Sequence, residues 1–317
     1  MSRQPRLIAA DWGTSSLRAW LLDDQGDILE SRAEPWGIQQ LPDGDFAGAW
    51  RRIAGGWRTQ YPALPALACG MIGSRGGWRE VPYVDCPAAP EQLAEGLVEF
   101  DTGTGPLTLV PGIMQHSNGA TATLPNVMRG EETQVLGALE RQPALRDEAL
   151  LVMPGTHCKW VTVRDGRITD FTTHMTGELF AVLREHSILG RPAREVATEA
   201  SEAAFGDGLD VARQCGAAGI SGALFSVRSR VLAGELAVEH SLEYLSGLLI
   251  GEELRSVLVG RDSCPPLMLI GDDSLCRRYR LALARFGIDD VQPMADAGIA
   301  GLWRIAHTAG LVSDRGH

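Results

Sequence analysis

Asp11-Trp12-Gly13-Thr14-Ser15-Ser16-Leu17-Arg18 is the stretch whose reading decides the fold. It follows a short apolar run, Leu7-Ile8-Ala9-Ala10, and leads into a second, Leu17-Arg18-Ala19-Trp20-Leu21-Leu22. Two strand-like runs joined by a Gly-Thr turn predict a β-hairpin, and Asp24-Gln25-Gly26 turns the chain again into a third strand at Asp27. Glycine lets backbone N–H groups approach an anion closely, so Gly13, Thr14 and Ser15 can cradle a phosphate with amides and hydroxyls. Asp11, at a strand end, is a suitable carboxylate for Mg²⁺, and Arg18 follows the turn within reach of a terminal phosphate. The plain alternatives are an ordinary hairpin and a surface arginine, because short glycine motifs match by chance.

The same order returns ~140 residues later, a spacing that suggests duplication of one supersecondary unit. Ala149-Leu150-Leu151-Val152-Met153 reads as an apolar strand, Gly155-Thr156 as a tight turn, and Lys159 to Val163 as a strand. Arg164-Asp165-Gly166 then turns the chain into Arg167-Ile168. Two such turns facing each other across a cleft would clamp a polyphosphate from both sides. The copies differ at one position: Met153 stands where the first has Asp11, as a site with a single metal requires.

Around these hairpins the pattern is α/β. Trp50, Ile53 and Trp57 share one face of a helix over 46–59, and Ala66-Leu67-Ala68-Cys69 is a buried strand ending at Gly70. A helix is expected from about Pro125, a long helical pattern from Glu235 to Val259, and a last helix from Ala295 to Ala309. Leu267 to Ile270 is a buried strand followed by Gly271 and a helix to Phe286. The expected division is a domain over 1–120 and another over 121–317, with the final helix packing back on the first.

Composition narrows the partners. The chain has 317 residues, 44% hydrophobic and 22% charged, which is ordinary globular usage. A net charge of -11 argues against nucleic acid, which needs a basic footprint, but not against a nucleotide held locally by amides and one metal ion. Met1 to Arg6 lacks the apolar core of a signal peptide, and no window approaches a membrane span. Cysteines 69, 86, 158, 215, 264 and 276 form no CxxC pair and no metal spacing with histidine. The expectation is a cytoplasmic protein with reduced thiols, its partners small molecules, with a homodimer left open.

With both hairpins in view, a resemblance becomes specific. Asp11 to Arg18 resembles the first phosphate motif of the actin/hexokinase/Hsp70 superfamily, Met153-Pro154-Gly155-Thr156-His157 its second, and Leu269-Ile270-Gly271-Asp272-Asp273-Ser274 its adenosine motif. Gly70 to Trp78, Arg129-Gly130-Glu131-Glu132-Thr133-Gln134, Pro154 to Trp160 and Met175-Thr176-Gly177-Glu178-Leu179-Phe180 together resemble the 2-dehydro-3-deoxygalactonokinase family, over essentially the whole chain. The resemblance implies two ribonuclease-H-like, actin-like ATPase domains with a cleft between them. It also implies ATP and Mg²⁺, phosphorylation of the terminal hydroxyl of a 2-keto-3-deoxy sugar acid, and Gly271 and Asp272 beside the adenosine.

Phosphoryl transfer needs positioning, charge neutralisation and a base. Glu131 and Glu132, at the start of the helix before the second hairpin, are the candidates, with Glu131 ahead. In glycerol-kinase-like enzymes an Asp after Gly holds this place; here Glu follows Gly130, one methylene longer. Neighbours on a helix point roughly 100° apart, so only one can face the substrate, and both can equally be acids favoured by the helix dipole. Arg75 offers the forked geometry that fits a carboxylate, with Ser74 and Trp78 in the same Gly-rich loop. A solvated Arg75 and a packing Trp78 are the plain alternatives. Two other functions stay open: a kinase of the same fold acting on another sugar or polyol, and a non-catalytic ATPase switch or sugar sensor.

Overall fold

The computed structural model describes residues 3–117, 124–258, 265–295 and 297–313. Strands β1 (Leu7–Trp12), β2 (Leu17–Leu22) and β3 (Ile28–Glu34) form an antiparallel meander. Helix α1 (Phe46–Gln60) is capped by Asp45, which accepts from the Gly48 N–H at 2.8 Å. It buries Trp50, Ile53 and Trp57 against the sheet, each worth about 2–3 kcal/mol of removed apolar surface. The chain returns as β4 (Ala66–Cys69), parallel to β1. Then come β5 (Val84–Asp85), α2 (Pro90–Glu95), β6 (Val98–Asp101) and β7 (Pro106–Leu109), followed by β8 (Ile113–Gln115), β9 (Asn126–Met128) and α3 (Glu131–Arg141).

The second hairpin is β10 (Glu148–Met153) and β11 (Cys158–Arg164), continued by β12 (Arg167–His174). Helices α4 (Thr176–His186), α5 (Glu202–Gln214), α6 (Ser226–Leu232) and α7 (Ser241–Leu258) precede β13 (Leu267–Ile270). Helix α8 (Asp273–Arg285), β14 (Val291–Met294) and α9 (Ala297–Thr308) complete the order. The sheets show the duplication directly. One has the order β3-β2-β1-β4-β7-β6 and the other β12-β11-β10-β13-β14, so five strands correspond one to one. In both, the strand after the hairpin pairs parallel with its first strand. Strands β1, β4, β10 and β13 are almost wholly buried, which is why they read as unbroken apolar runs.

By contacts the chain forms two compact units that do not follow the expected division at 120/121, itself outside the described residues. The first holds residues 1–149, 161–171 and 296–317; the second holds 150–160 and 172–295. Within the first unit, Gly137 of α3 and Gly301 of α9 let the two helices meet backbone to backbone. A Cβ on Gly137 would lie 1.7 Å from the Ala297 carbonyl oxygen, and one on Gly301 1.8 Å from that of Thr133. The β11–β12 turn joins this unit through Ala88 and Ile168, which exchange N–H···O bonds of 3.0 and 2.8 Å.

Elements β5 to β8 and α2 lie in a stretch for which no element was expected, and beyond it three elements differ from expectation. The helix expected from Pro125 starts at Glu131, because Asn126–Met128 pair antiparallel with β8 and Gly130, at φ 107°, breaks the chain direction. The pattern expected from Glu235 to Val259 becomes a 3-10 turn at Val238–His240 and then α7, where Ser241 Oγ donates to the Val238 carbonyl at 2.7 Å. Strand β14 was not anticipated: it is four residues long and contains Pro293, tolerated because the strand lies at the sheet edge. Cys264 and Val259 lie outside the described residues. Among the described residues no helix is long and apolar enough to cross a membrane.

Candidate active site

In the first unit the sequence-predicted acids converge. The β1–β2 register places Asp11 directly opposite Arg18, and Arg18 Nη2 donates to Asp11 Oδ2 at 2.6 Å. The turn between the strands is closed by the Gly13 N–H donating to the Ser16 carbonyl at 2.9 Å. From behind, the Ile38 and Gln39 N–H groups take the Gly13 and Thr14 carbonyls at 3.0 and 3.3 Å, leaving Thr14 and Ser15 exposed. A turn whose carbonyls are already engaged presents its hydroxyl side outward, the polarity an anion requires.

Beside Asp11, β4 ends at Gly70, whose φ of 94° only glycine adopts readily. A Cβ there would lie 2.8 Å from the Trp12 carbonyl oxygen and 3.2 Å from Asp11 Oδ1. Gly130 stacks on it in turn, for its Cβ would lie 3.2 Å from the Gly70 Cα. Two glycines thus bring the N-terminus of α3 against the strand end that carries Asp11.

The neighbouring glutamates separate into distinct environments. Glu132 is completely buried; its carboxylate accepts from the Gly130 N–H at 2.7 Å and the Thr133 hydroxyl at 3.1 Å. Burial first, and the Glu131 charge second, push the Glu132 carboxyl up to about 7. Glu131 is half-buried, and its Oε2 accepts from the Arg129 N–H at 2.9 Å. Cys69 is buried between these groups. Burial, followed by the Asp11 and Glu132 charges, raises its thiol far above the usual range, so it is no nucleophile.

The Gly-rich loop after β4 begins with a 3-10 turn at Met71–Gly73, and the Ser74 N–H donates to the Met71 carbonyl at 3.0 Å. Arg75 is exposed at its tip. Trp78 is half-buried as a packing anchor, stacked on Phe46 at 6.1 Å and edge-on to Phe100 at 5.0 Å. Arg129, at the head of the Arg129–Gln134 motif, has a role that its local sequence does not reveal. This buried guanidinium donates to the Val81 carbonyl at 2.8 Å, lies over the Tyr83 ring at 4.3 Å and ties the loop's far end to α3. Its charge hid this: an arginine before Gly-Glu-Glu reads as a solvated residue.

The second unit holds the other two motifs around one cavity of about 430 Å³, lined among others by Gly155, Thr176, Gly177, Ser274, Leu275 and Arg278. Thr156 is exposed beside it, and its carbonyl accepts from the Glu178 N–H at 3.0 Å. Gly177 packs so tightly that a Cβ would lie 2.4 Å from the Gly155 carbonyl oxygen. The second turn is therefore also backed by a neighbouring segment, which bonds to the Thr156 carbonyl and packs on that of Gly155. Gly271, at φ 153°, passes close to Pro154, and Asp272 caps α8 by accepting from the Ser274 and Leu275 N–H groups at 2.9 and 3.2 Å. Those bonds, the Ser274 hydroxyl first, hold the Asp272 carboxyl below its usual range. Asp272 thus shapes the turn at the cavity.

The single carboxylate of Asp11, at the end of β1, is a donor that Mg²⁺ can use, since this ion keeps much of its water and binds chiefly through phosphates. Among the described residues no group of three or more His, Cys, Asp or Glu side chains is placed to hold a metal by itself.

The chain matches known proteins over nearly its whole length. The family model for 2-keto-3-deoxy-galactonokinase matches residues 11–305. The chain is 37% identical over 307 residues to the 2-dehydro-3-deoxygalactonokinase of Escherichia coli K12, covering 95% of this chain and 98% of that one. A relative of the same description from Rhizobium meliloti is 36% identical over 305 residues, covering 93% and 94%. A crystal structure of a Sinorhizobium meliloti protein described as this kinase superposes with a TM-score of 0.83 at 35% identity, covering 95% and 98%. The fold is the α/β fold of the actin/hexokinase-like ATPases, and the strand-for-strand repeat of its sheets follows from it. With the family motifs matched from the first hairpin to the last helix, this chain belongs to the 2-keto-3-deoxy-galactonokinase family.

Proposed function

We propose that the protein transfers the γ-phosphoryl group of MgATP to the terminal 6-hydroxyl of 2-dehydro-3-deoxy-D-galactonate, in galactonate catabolism. The observation that carries this reading is the convergence of Asp11, Gly70 and the Gly130-Glu131-Glu132 turn in one unit. It sets a metal-type carboxylate and a base-type carboxylate on adjoining rigid elements. Bound Mg²⁺ would neutralise charge on the phosphates, with Asp11 as its protein carboxylate, through water. Gly13, Thr14 and Ser15 of the first turn, and Gly155 and Thr156 of the second, are the phosphate-binding residues of this reading. The 430 Å³ cavity takes the nucleoside, with Gly271 and Asp272 in the turn that leads into its lining residues Ser274 and Leu275.

Glu131 is the base of this reading. It is the more accessible of the pair, half-buried where Glu132 is completely buried. Glu131 takes the proton as the substrate oxygen bonds to phosphorus and the bond to the ADP oxygen breaks. Ser74 and Arg75 take the sugar-acid carboxylate, with Trp78 stiffening their loop. The sugar acid and ATP are its partners, in the cytoplasm, and sedimentation will show whether it works as a monomer or a homodimer.

The test is a coupled ADP assay with MgATP and four acceptors: the galactonate- and gluconate-derived 2-keto-3-deoxy acids, glycerol and glucose. Turnover with the galactonate-derived acid, and little with the neutral compounds, is the expected result. Equal rates with glycerol or glucose, or ATP hydrolysis that needs no acceptor, would overturn it.

A further inference from the structure

Glu253, on α7, is a carboxylate that no predicted motif uses. It is 2% exposed, and among the described residues no lysine or arginine pairs with it. Three side chains from three other elements donate to it instead. Trp160 of β11 donates its indole N–H to Oε1 at 2.6 Å, Tyr279 of α8 its hydroxyl to Oε2 at 2.7 Å, and Thr176 at the start of α4 its hydroxyl to Oε2. A buried ion with three donors is stable only while all three stay in place.

Two of those donors belong to the walls of the nucleoside cavity. Thr176 and Tyr279 line it, and Glu253 stands behind them, lining a separate cavity of about 500 Å³. Thr176 leads into Gly177 and Glu178, which pack on the Gly155 and Thr156 carbonyls. Tyr279 stands on the helix that Asp272 caps. Burial keeps the Tyr279 phenol far above its usual range, so it remains a donor. We propose that Glu253 is a positioning residue for the nucleotide: its carboxylate draws β11, α4 and α8 to one point and so sets the spacing between the Gly155-Thr156 turn and the adenosine helix. The inference rests on reading the 430 Å³ cavity as the nucleoside site.

Glu253→Gln keeps the shape but puts an NH₂ against donors. The Thr176 and Tyr279 hydroxyls can turn to accept, whereas the Trp160 N–H can only donate. The expected result is a KM for ATP raised ~10-fold, as for loss of a charge-assisted hydrogen bond, with kcat and the sugar-acid KM within about twofold. Tyr279→Phe removes one donor and should raise the ATP KM in the same direction by about threefold; it decides the matter if Glu253→Gln does not fold. Leu275→Trp, which enlarges a residue of the cavity wall, tests the underlying reading by ADP titration. If Leu275→Trp leaves ADP affinity unchanged, the nucleoside site lies elsewhere. If Leu275→Trp abolishes binding while folded Glu253→Gln keeps the wild-type ATP KM, or moves kcat and both KM values together, the positioning role is wrong.

Discussion

Arg18 Nη2 and Asp11 Oδ2 lie 2.6 Å apart because the first hairpin makes their residues direct cross-strand partners. The side chains are 48% and 24% exposed, and a pair so open to water contributes only about 0–1 kcal/mol. Such a pair orients the carboxylate without locking it. Under the proposed function, Asp11 would turn to Mg²⁺ and Arg18 to the terminal phosphate when MgATP binds.

Asp11→Asn should lower kcat on the order of 10²-fold, the scale of losing one preorganised electrostatic group, and should raise the Mg²⁺ concentration for half-maximal rate. Arg18→Met should raise the KM for ATP yet lower that Mg²⁺ requirement, since the competing cation is gone. Mg²⁺ titrations of both variants at fixed ATP check this. An Arg18→Met enzyme that needs more Mg²⁺ contradicts the exchange.

Glu131→Gln should lose about 10²–10⁴-fold in kcat with both KM values little changed, as for removal of a general base. Loss of activity in Glu132→Gln but not in Glu131→Gln, in the same steady-state assay, reverses the assignment.

Glu132 carries a pH signature of its own. Its carboxyl titrates near 4.5 when unfolded and at about 7 in the fold. Below the first value both states hold the proton and burial carries no ionisation penalty. Between the two only the folded state holds it, so stability falls as pH rises and the loss is complete above about pH 7. A shift of this size is worth roughly 3 kcal/mol. Denaturant melts from pH 4.5 to 8 should show wild type losing stability relative to Glu132→Gln; a pH-independent difference would falsify the burial argument.

Gly137→Ala should destabilise the first unit by about 1–3 kcal/mol, the range for overpacking, because its Cβ falls on the Ala297 carbonyl. Gly166→Ala meets no atom within 4 Å and serves as the comparison, affected only through its φ of 70°. Thermal melts rank the two. An unaffected Gly137→Ala implies that α3 and α9 separate without cost.

Arg75→Ala should raise the KM for the sugar acid about tenfold or more and leave the KM for ATP alone, since a forked guanidinium–carboxylate contact is lost. Arg75→Lys should recover only part of it. Equal effects on both substrates would point to loop collapse rather than lost recognition.

Much of this is legible in the sequence. Both hairpins, the buried strands β1, β4, β10 and β13, and helix α1 appear at their expected places, because strand burial and helical spacing are local signals. The start of α3 was misplaced, since the short β8–β9 pairing that displaces it is a long-range contact of three residues. Residues whose importance lies in what they touch left no local mark. Gly37 and Gly177 press on the phosphate turns, Arg129 ties down the loop, and Glu253 gathers three donors.

By itself, then, the sequence determined the duplicated hairpins, the α/β class, the family and the set of residue types at the site, because these follow from periodicity, turn chemistry and motif order. The tertiary structure alone decided that α3 and its two glutamates belong with the first unit and stand beside Asp11. It also decided that Glu132 is the enclosed acid and Glu131 the accessible one. The physical reason is that close approach through Gly70 and Gly130, and desolvation of one carboxylate but not its neighbour, depend on distant segments meeting, which no local pattern encodes.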